Sequence, residues 1–183
     1  MKFHLETKRL ILRYITPLDV NGMFELDSNA HVHKYLGNNP ITTKAQARDN
    51  ITFINRQYKE RGIARFAAIE KSSGQFIGWS GLKYNTGDKE TIGTKRDFYD
   101  IGYRFIPEFW GKGYATESSI AILNYGFNNL NLPTIYGAAE IENIASNAVL
   151  KKIGLNHTEQ FELEGKLINW YKLNKEDYAK TVS

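Results

Sequence analysis

Alternating apolar and polar residues predict a series of β-strands along the chain. In residues 98–106 the larger apolar side chains fall at every second position, at Ile101, Tyr103 and Phe105. Similar segments predict further strands at residues 9–14, 63–69, 76–84, 134–141, 155–163 and 167–173. Short polar turns containing glycine join the second strand to the third and the last two strands to each other, which predicts two antiparallel hairpins.

Apolar residues spaced three and four positions apart predict four helices. Thr16, followed by a proline, is typical of a helix start, and Thr43 with Gln46 forms a capping box that opens the second helix. Gly62 is expected to end that helix. The third helix is predicted to follow two glycines near residue 112, and the fourth to span residues 145–153.

The element order is therefore β-α-α-β-β-β-α-β-α-β-β, with about seven strands. Hairpins at both ends around a β-α-β-α centre predict a mixed α/β (α+β-like) sheet rather than a doubly wound parallel sheet. The 183 residues contain no repeat, linker-like stretch or low-complexity tract, so we expect one domain over residues 1–183.

Composition excludes several classes of protein. The chain has no cysteine, which excludes a disulfide scaffold, a cysteine nucleophile and a cysteine-ligated zinc site. Its 24 basic and 20 acidic residues give a net charge of +4 without any basic run, which suits an anionic ligand and argues against nucleic-acid binding. Without a signal-like or membrane-spanning apolar stretch, a cytoplasmic protein is expected.

Two histidines, His31 and His33, are the only hint of a metal site in the sequence. They lie in an irregular segment with no carboxylate or further histidine at ligand spacing. We therefore predict surface histidines and no bound metal.

Gly111 and Gly113 lie between a strand and a helix. Such a turn directs unpaired backbone N–H groups and the positive end of the helix dipole towards one concavity, where a phosphate binds well. The alternative is an ordinary tight connection.

No Gly-x-x-x-x-Gly-Lys-Ser/Thr sequence occurs, and Thr116 stands where a dinucleotide-binding motif needs its third glycine, so NTPases and nicotinamide enzymes are not favoured.

Three segments together resemble one family. Residues 100–117, which contain Trp110-Gly111-Lys112-Gly113-Tyr114-Ala115, resemble the acetyl-CoA-binding motif of the GNAT superfamily of N-acetyltransferases, in the form of its RimJ/RimL-type group. Residues 6–13 resemble the opening strand of that group, and residues 143–155 resemble its Asn-x-x-Ser…Lys-x-Gly-Phe segment. The resemblance implies a GNAT-type, mostly antiparallel sheet with helices on both faces.

The resemblance also implies where acetyl-CoA binds. The backbone of Phe105 and Ile106 would pair with the pantetheine arm, and Asn143 would contact the same arm, with Asn147 as a second contact. The pyrophosphate would lie in a cradle formed by Gly111, Lys112, Gly113, Tyr114, Ala115 and Thr116. Lys112, Lys151 or Lys152 could reach the ribose phosphate of the cofactor; each is alternatively an ordinary surface lysine.

Two residues are candidates for catalysis by direct transfer to a primary amine. Asp100 stands where the group usually has glutamate and is a candidate to accept the amine proton; the alternative is a structural carboxylate paired with Arg104 or Lys95. Many GNAT enzymes protonate the departing thiolate with a tyrosine seven residues after the asparagine, but here that residue is Leu150. Ser146 is the substitute candidate, unless it is an ordinary helix-start serine.

The acceptor is left open by the resemblance. The candidate acceptors are all primary amines: a protein N-terminus such as that of a ribosomal protein, a polyamine, an amino acid or an aminoglycoside. The shorter carboxylate at Asp100 and the leucine at position 150 also allow a second class of protein, a non-catalytic CoA-binding sensor or assembly module. We expect no nucleic-acid or membrane partner, and either a monomer or a homodimer.

Overall fold

The computed structural model describes residues 3–182, which form eight strands and six α-helices. The strands are β1 (His4–Glu6), β2 (Leu10–Arg13), β3 (Arg65–Glu70), β4 (Phe76–Asn85), β5 (Phe98–Phe105), β6 (Thr134–Glu140), β7 (Asn156–Leu163) and β8 (Lys166–Asn174). The helices are α1 (Val20–Asp27), α2 (Ala30–His33), α3 (Lys44–Arg61), α4 (Tyr114–Asn124), α5 (Ile144–Lys152) and α6 (Lys175–Val182).

The strands form one mixed sheet in the order β1-β2-β3-β4-β5-β6-β8-β7. β5 and β6 are parallel, with Asp100 opposite Tyr136. The flanking pairs β1–β2, β2–β3, β3–β4, β6–β8 and β7–β8 are antiparallel. The predicted mixed sheet is thus confirmed, with one more strand than the seven expected.

Four elements differ from the sequence prediction. β1 has three residues, and α2 is a single turn within a segment predicted to be irregular. α6 follows the last strand, where no helix was predicted, and carries Glu176 and Asp177 in its first turn. α4 is shorter than its apolar spacing suggests, because Tyr125–Asn129 continue it as a wider π-helical turn.

The chain divides into two compact units. The first unit is Met1–Gly81 with Tyr103–Ala121, and the second is Leu82–Gly102 with Ile122–Ser183. β4 and β5 each contribute residues to both units.

The first unit packs α1 and α3 on β2 and β3. Its core cluster contains Ile15, Met23, Ala47, Ile51, Ala67 and Ile69. The predicted caps of α3 are confirmed: Thr43 and Gln46 exchange hydrogen bonds at its start, and Gly62 ends it with a φ of 73°. That left-handed conformation favours glycine over any residue with a Cβ.

The second unit packs α5 on β6 at Gly137. A Cβ added to Gly137 would come within 2.7 Å of a methyl carbon of Leu150 and 3.1 Å of one of Leu155. The absent side chain lets helix and strand approach closely, so the end of α5 is fixed on the sheet. Among residues 3–182, no helix combines the length and apolar character needed to cross a membrane.

Candidate active site

The glycine turn of the first unit runs from a 3-10 turn at Pro107–Phe109 into α4. Gly111 and Gly113 both have positive φ, 71° and 83°, which L side chains rarely adopt. A Cβ added to Gly111 would meet nothing within 4 Å, so open space lies beside that residue. Both glycines are exposed.

This turn fits an anionic group. The first backbone N–H groups of α4, those of Tyr114, Ala115 and Thr116, have no acceptor within their own helix, and the helix dipole adds positive potential at the same end. Lys112 is exposed and lies between the two glycines, with its ammonium group 5.2 Å from the centre of the Phe109 ring. The residues present therefore suit the pyrophosphate of acetyl-CoA.

Arg9 holds the turn from the side of β2, a contact the sequence analysis missed. Its Nη1 donates to the Lys112 carbonyl oxygen at 2.9 Å, and its Nε donates to Glu117 Oε2 at 2.6 Å. Its guanidinium carbon lies 4.3 Å from the centre of the Tyr114 ring. Glu117 thus ties α4 to the start of β2.

Tyr114 is buried and its hydroxyl donates to the Glu70 carboxylate. This hydrogen bond raises the pKa of Tyr114 and lowers that of Glu70. Burial alone would raise the pKa of Glu117, but hydrogen bonds from Thr7 and from the main chain and side chain of Arg9 outweigh it and leave that pKa below its usual value.

The main chain of Phe105 and Ile106 is partly used inside the first unit. The Ile106 N–H donates to the Ile77 carbonyl oxygen at 3.0 Å, and its carbonyl accepts from Phe109 N at 2.9 Å. Because successive strand residues direct their N–H and C=O groups to opposite edges, those of Phe105 face away from β4. The Phe105 carbonyl accepts a hydrogen bond from Trp110 Nε1 at 2.6 Å.

Asp100 lies on β5 in the second unit, where a side-chain amide binds its carboxylate. Its Oδ1 accepts a hydrogen bond from Asn85 Nδ2 at 2.6 Å. Arg104 pairs with Asp27 at 2.5 Å, and Lys95 pairs with Glu159 at 2.5 Å. A buried amide thus orients this carboxylate, and each of the two basic residues considered as its partner lies beside another carboxylate.

Asn143 and Ser146 lie together at the start of α5. Asn143 is the N-cap residue, and its Oδ1 accepts from the Ser146 N–H at 3.1 Å. Both residues are half-buried. The cap satisfies one of the unpaired N–H groups of the helix and fixes Ser146 in its first turn.

Asn147 is buried and uses all the hydrogen-bonding capacity of its amide. Its Nδ2 donates to the carbonyl oxygens of Glu140 and Asn143, both at 2.8 Å. Its Oδ1 accepts from the Tyr171 hydroxyl at 2.6 Å and from Asn169 Nδ2 at 2.7 Å. The side chain holds the β6–α5 connection, and its predicted contact with the pantetheine arm requires one of these bonds to break.

Leu150, at the position where many GNAT enzymes have a tyrosine, is 2% exposed and packs over Gly137. It is a core residue of the second unit and offers no proton. Lys151 and Lys152, in the last turn of the same helix, are both exposed.

The two histidines do not share one environment. His31 is exposed as predicted, but His33 is 7% exposed, so the prediction of a surface histidine is wrong for that residue. α2 turns its side chain inward together with that of Val32. Among residues 3–182, no group of three or more histidine and acidic side chains is arranged to hold a metal ion.

Comparison with known proteins identifies the family. Residues 9–156 match a family model described as an acetyltransferase (GNAT) domain. The chain is 32% identical over 178 residues to the uncharacterized N-acetyltransferase YoaA of Bacillus subtilis, covering 97% of this chain and 93% of YoaA. It is 34% identical over 181 residues to the uncharacterized N-acetyltransferase p20 of Bacillus licheniformis, covering 96% and 98% of the two chains.

Solved structures show the same fold. A GNAT-family acetyltransferase from Bacillus anthracis superposes with a TM-score of 0.77 at 24% identity, over 95% of this chain and 99% of that one. A spermidine N-acetyltransferase from Vibrio cholerae, solved with CoA and spermine, superposes with a TM-score of 0.74 at 20% identity, over 93% and 98%. The chain belongs to the GNAT acetyltransferase family and is an acetyltransferase.

Proposed function

We propose that the protein transfers an acetyl group from acetyl-CoA directly to a primary amine. The glycine turn carries this proposal, because its two positive-φ glycines, the open space beside Gly111 and the N-terminus of α4 suit the pyrophosphate of the acetyl donor. When bound, acetyl-CoA supplies a thioester whose carbonyl carbon accepts the amine nitrogen, while the bond to sulfur breaks.

Two parts of the first unit are proposed to bind the donor. The first part holds the pyrophosphate and consists of Gly111, Lys112, Gly113 and the first turn of α4, Tyr114 to Thr116. Phe105 presents its N–H group and the second lone pair of its carbonyl at the edge away from β4, which we propose for the pantetheine arm. Ile106 supports that edge through its bonds to Ile77 and Phe109 rather than by a contact of its own.

Asp100 is proposed to accept the proton that the amine must lose. A primary amine with a pKa of roughly 8 to 10 arrives mostly protonated at neutral pH, so attack needs a proton acceptor. The Asn85 amide fixes the orientation of the carboxylate by its hydrogen bond to Oδ1. The side chain is one methylene shorter than the glutamate common in the RimJ/RimL-type group, so we propose that one water relays the proton.

Ser146 is proposed to donate a hydrogen bond or a proton to the departing sulfur. The cap from Asn143 fixes its main chain, and Leu150 is enclosed in the core and has no proton to give. Asn143 is proposed to contact the pantetheine arm. Asn147 is proposed to act indirectly, by holding the carbonyl oxygen of Asn143.

The names of two relatives suggest which primary amines to test first as acceptors. The spermidine N-acetyltransferase of Escherichia coli is 25% identical over 163 residues, and a ribosomal-protein-S5-alanine acetyltransferase from Vibrio fischeri shares the fold at 16% identity. Polyamines and protein N-termini are therefore the first acceptors to test. We also propose a cytoplasmic location, where acetyl-CoA and both kinds of acceptor occur.

Turnover is measured most directly as release of the CoA thiol. The chain has no cysteine, so a thiol reagent detects only the product. The amines to test are spermidine, an alanine-initiated peptide, several free amino acids and an aminoglycoside. We expect acetyl-CoA to bind in calorimetric titration and at least one amine to raise thiol release above the rate without amine.

A matched pair of variants tests the cradle. Gly111→Asn and Gly111→Asp place side chains of nearly equal size at the same left-handed position, which Asn and Asp both tolerate better than most residues. Only the aspartate adds negative charge, so we expect it to weaken acetyl-CoA binding at least tenfold more than the asparagine does. Equal affinities would contradict the cradle; binding without turnover on any amine would favour the non-catalytic module.

A further inference from the structure

Arg9 lies just before β2, more than 100 residues from the turn that its guanidinium contacts. Its main-chain N–H and its Nε donate to the two carboxylate oxygens of Glu117, at 2.8 and 2.6 Å. Its carbonyl oxygen accepts from Lys71 N at 2.9 Å, which ties it to the β3–β4 turn. These three hydrogen bonds fix the main chain and Nε of Arg9 next to the glycine turn.

The guanidinium group lies over the glycine turn. Nη1 holds the Lys112 carbonyl oxygen at 2.9 Å, and Nη2 lies 3.4 Å from where a Cβ on Gly113 would stand. The Tyr114 ring packs beneath it, and the Tyr114 hydroxyl is held in turn by Glu70. One side chain therefore binds Lys112, packs on Tyr114 and lies beside Gly113 between them.

We infer that Arg9 is a positioning residue that sets the conformation of the cradle, and with it the affinity for the pyrophosphate of the donor. This inference rests on the proposed function. When the Lys112 carbonyl is held on the Arg9 side, the N–H of the same peptide unit, that of Gly113, points to the opposite side, which we assign to the anion. Without that bond the two glycines leave the turn with many conformations, and binding must restrict them.

The planar fork of arginine is essential to this role. Nε and Nη1 reach two different acceptors at once, a carboxylate oxygen and a carbonyl oxygen. A lysine ammonium group is a point charge without this geometry. Arg9→Lys therefore keeps the charge and loses the simultaneous contact.

The test compares two acetyl donors in steady-state kinetics. Acetyl-CoA carries the pyrophosphate, whereas S-acetyl-N-acetylcysteamine carries only the thioester end of the pantetheine arm. For Arg9→Gln we expect KM for acetyl-CoA to rise tenfold or more with kcat within about threefold of wild type. We expect kcat/KM for the short thioester to stay within about twofold. For Arg9→Lys we expect log KM for acetyl-CoA to rise by more than half of the rise seen with Arg9→Gln.

A matched control removes the same charge elsewhere in the first unit. Arg56 lies on α3 with an exposed side chain, 3.9 Å from Glu60. Arg56→Gln measures the effect of one lost positive charge on the affinity for an anionic donor, and we expect a change of less than twofold. Glu117→Gln, which removes the charge that anchors Arg9, is expected to raise KM for acetyl-CoA in the same direction as Arg9→Gln.

The outcomes separate this inference from the proposed function. If wild-type protein binds and turns over acetyl-CoA but Arg9→Gln leaves its KM unchanged, Arg9 is not a positioning residue and the proposed function stands. Full recovery by Arg9→Lys, or equal losses with both donors, would also overturn the inference, because charge or general folding would then explain the effect. Failure of the wild type to bind acetyl-CoA overturns the proposed function itself.

Discussion

His33 is a buried titratable residue with no assigned role in acetyl transfer. Within residues 3–182, neither ring nitrogen has a hydrogen-bond partner, and Nε of the neighbouring Arg104 is also unpaired. Arg104 pairs with Asp27, which also accepts from Asn50 Nδ2 at 3.0 Å. Burial and the positive charge of Arg104 lower the pKa of His33, against the opposing effect of Asp27. The folded protein therefore favours the neutral imidazole.

This pKa shift makes stability depend on pH near neutrality. The unfolded chain has the ordinary histidine pKa of about 6.5, so it binds more protons than the folded chain as pH falls through that value. We expect wild-type thermal stability to decline between pH 7.5 and 5.5, and the decline to be smaller in His33→Met. His31→Met, a matched change at the exposed neighbour, should follow the wild-type curve. Parallel curves for wild type and His33→Met would show that His33 does not cause the decline.

Ser146 allows a separate test of the proposed chemistry. Because Asn143 caps the helix through the main chain of Ser146, removing its hydroxyl leaves that cap in place. We expect Ser146→Ala to reduce kcat by about 10- to 100-fold, with acetyl-CoA affinity within twofold of wild type. Steady-state kinetics together with calorimetric titration measure both values. Unchanged turnover would remove Ser146 from the mechanism.

Helices with strong local signals were predicted more accurately than elements that depend on distant partners. Thr43, Gln46 and Gly62 define α3 through contacts within the helix itself, so the sequence was sufficient to locate both ends. β1 has three residues and forms a strand by pairing with β2, which no local pattern shows. α6 does carry a local signal, because Glu176 and Asp177 in its first turn suit a helix start.

The packing of α5 on β6 explains why the usual tyrosine cannot simply be restored. Leu150 fills the space that Gly137 leaves open, so a larger ring has no room there. We expect Leu150→Tyr to lower the free energy of unfolding by about 1 to 3 kcal/mol, whereas Leu150→Met should cost less than about 1.5 kcal/mol. Urea denaturation measures both changes. A Leu150→Tyr protein as stable as wild type, with higher turnover, would show that the site accepts the ring.

At the scale of the whole chain, the sequence predicted the family, the mixed sheet and the glycine turn, but few of the partners that hold them. Three ion pairs join residues that are 108, 77 and 64 positions apart in the chain, namely Arg9–Glu117, Arg104–Asp27 and Lys95–Glu159. Such pairs arise only when the sheet brings distant segments together, and a charged residue gives no sign of which opposite charge it will meet. For this reason the sequence alone does not show that Arg104 pairs with Asp27 or that Lys95 pairs with Glu159.

Trp110 has a further consequence for experiments. Its indole N–H is bound to the Phe105 carbonyl, while 49% of the residue is exposed next to the glycine turn. The other two tryptophans, Trp79 and Trp170, are less exposed, and Trp170 is enclosed in the core of the second unit. Indole emission depends on solvent contact and on hydrogen bonding, so Trp110 is an intrinsic fluorophore at the place where the donor is proposed to arrive. Ligand binding can thus be followed in the unlabelled protein.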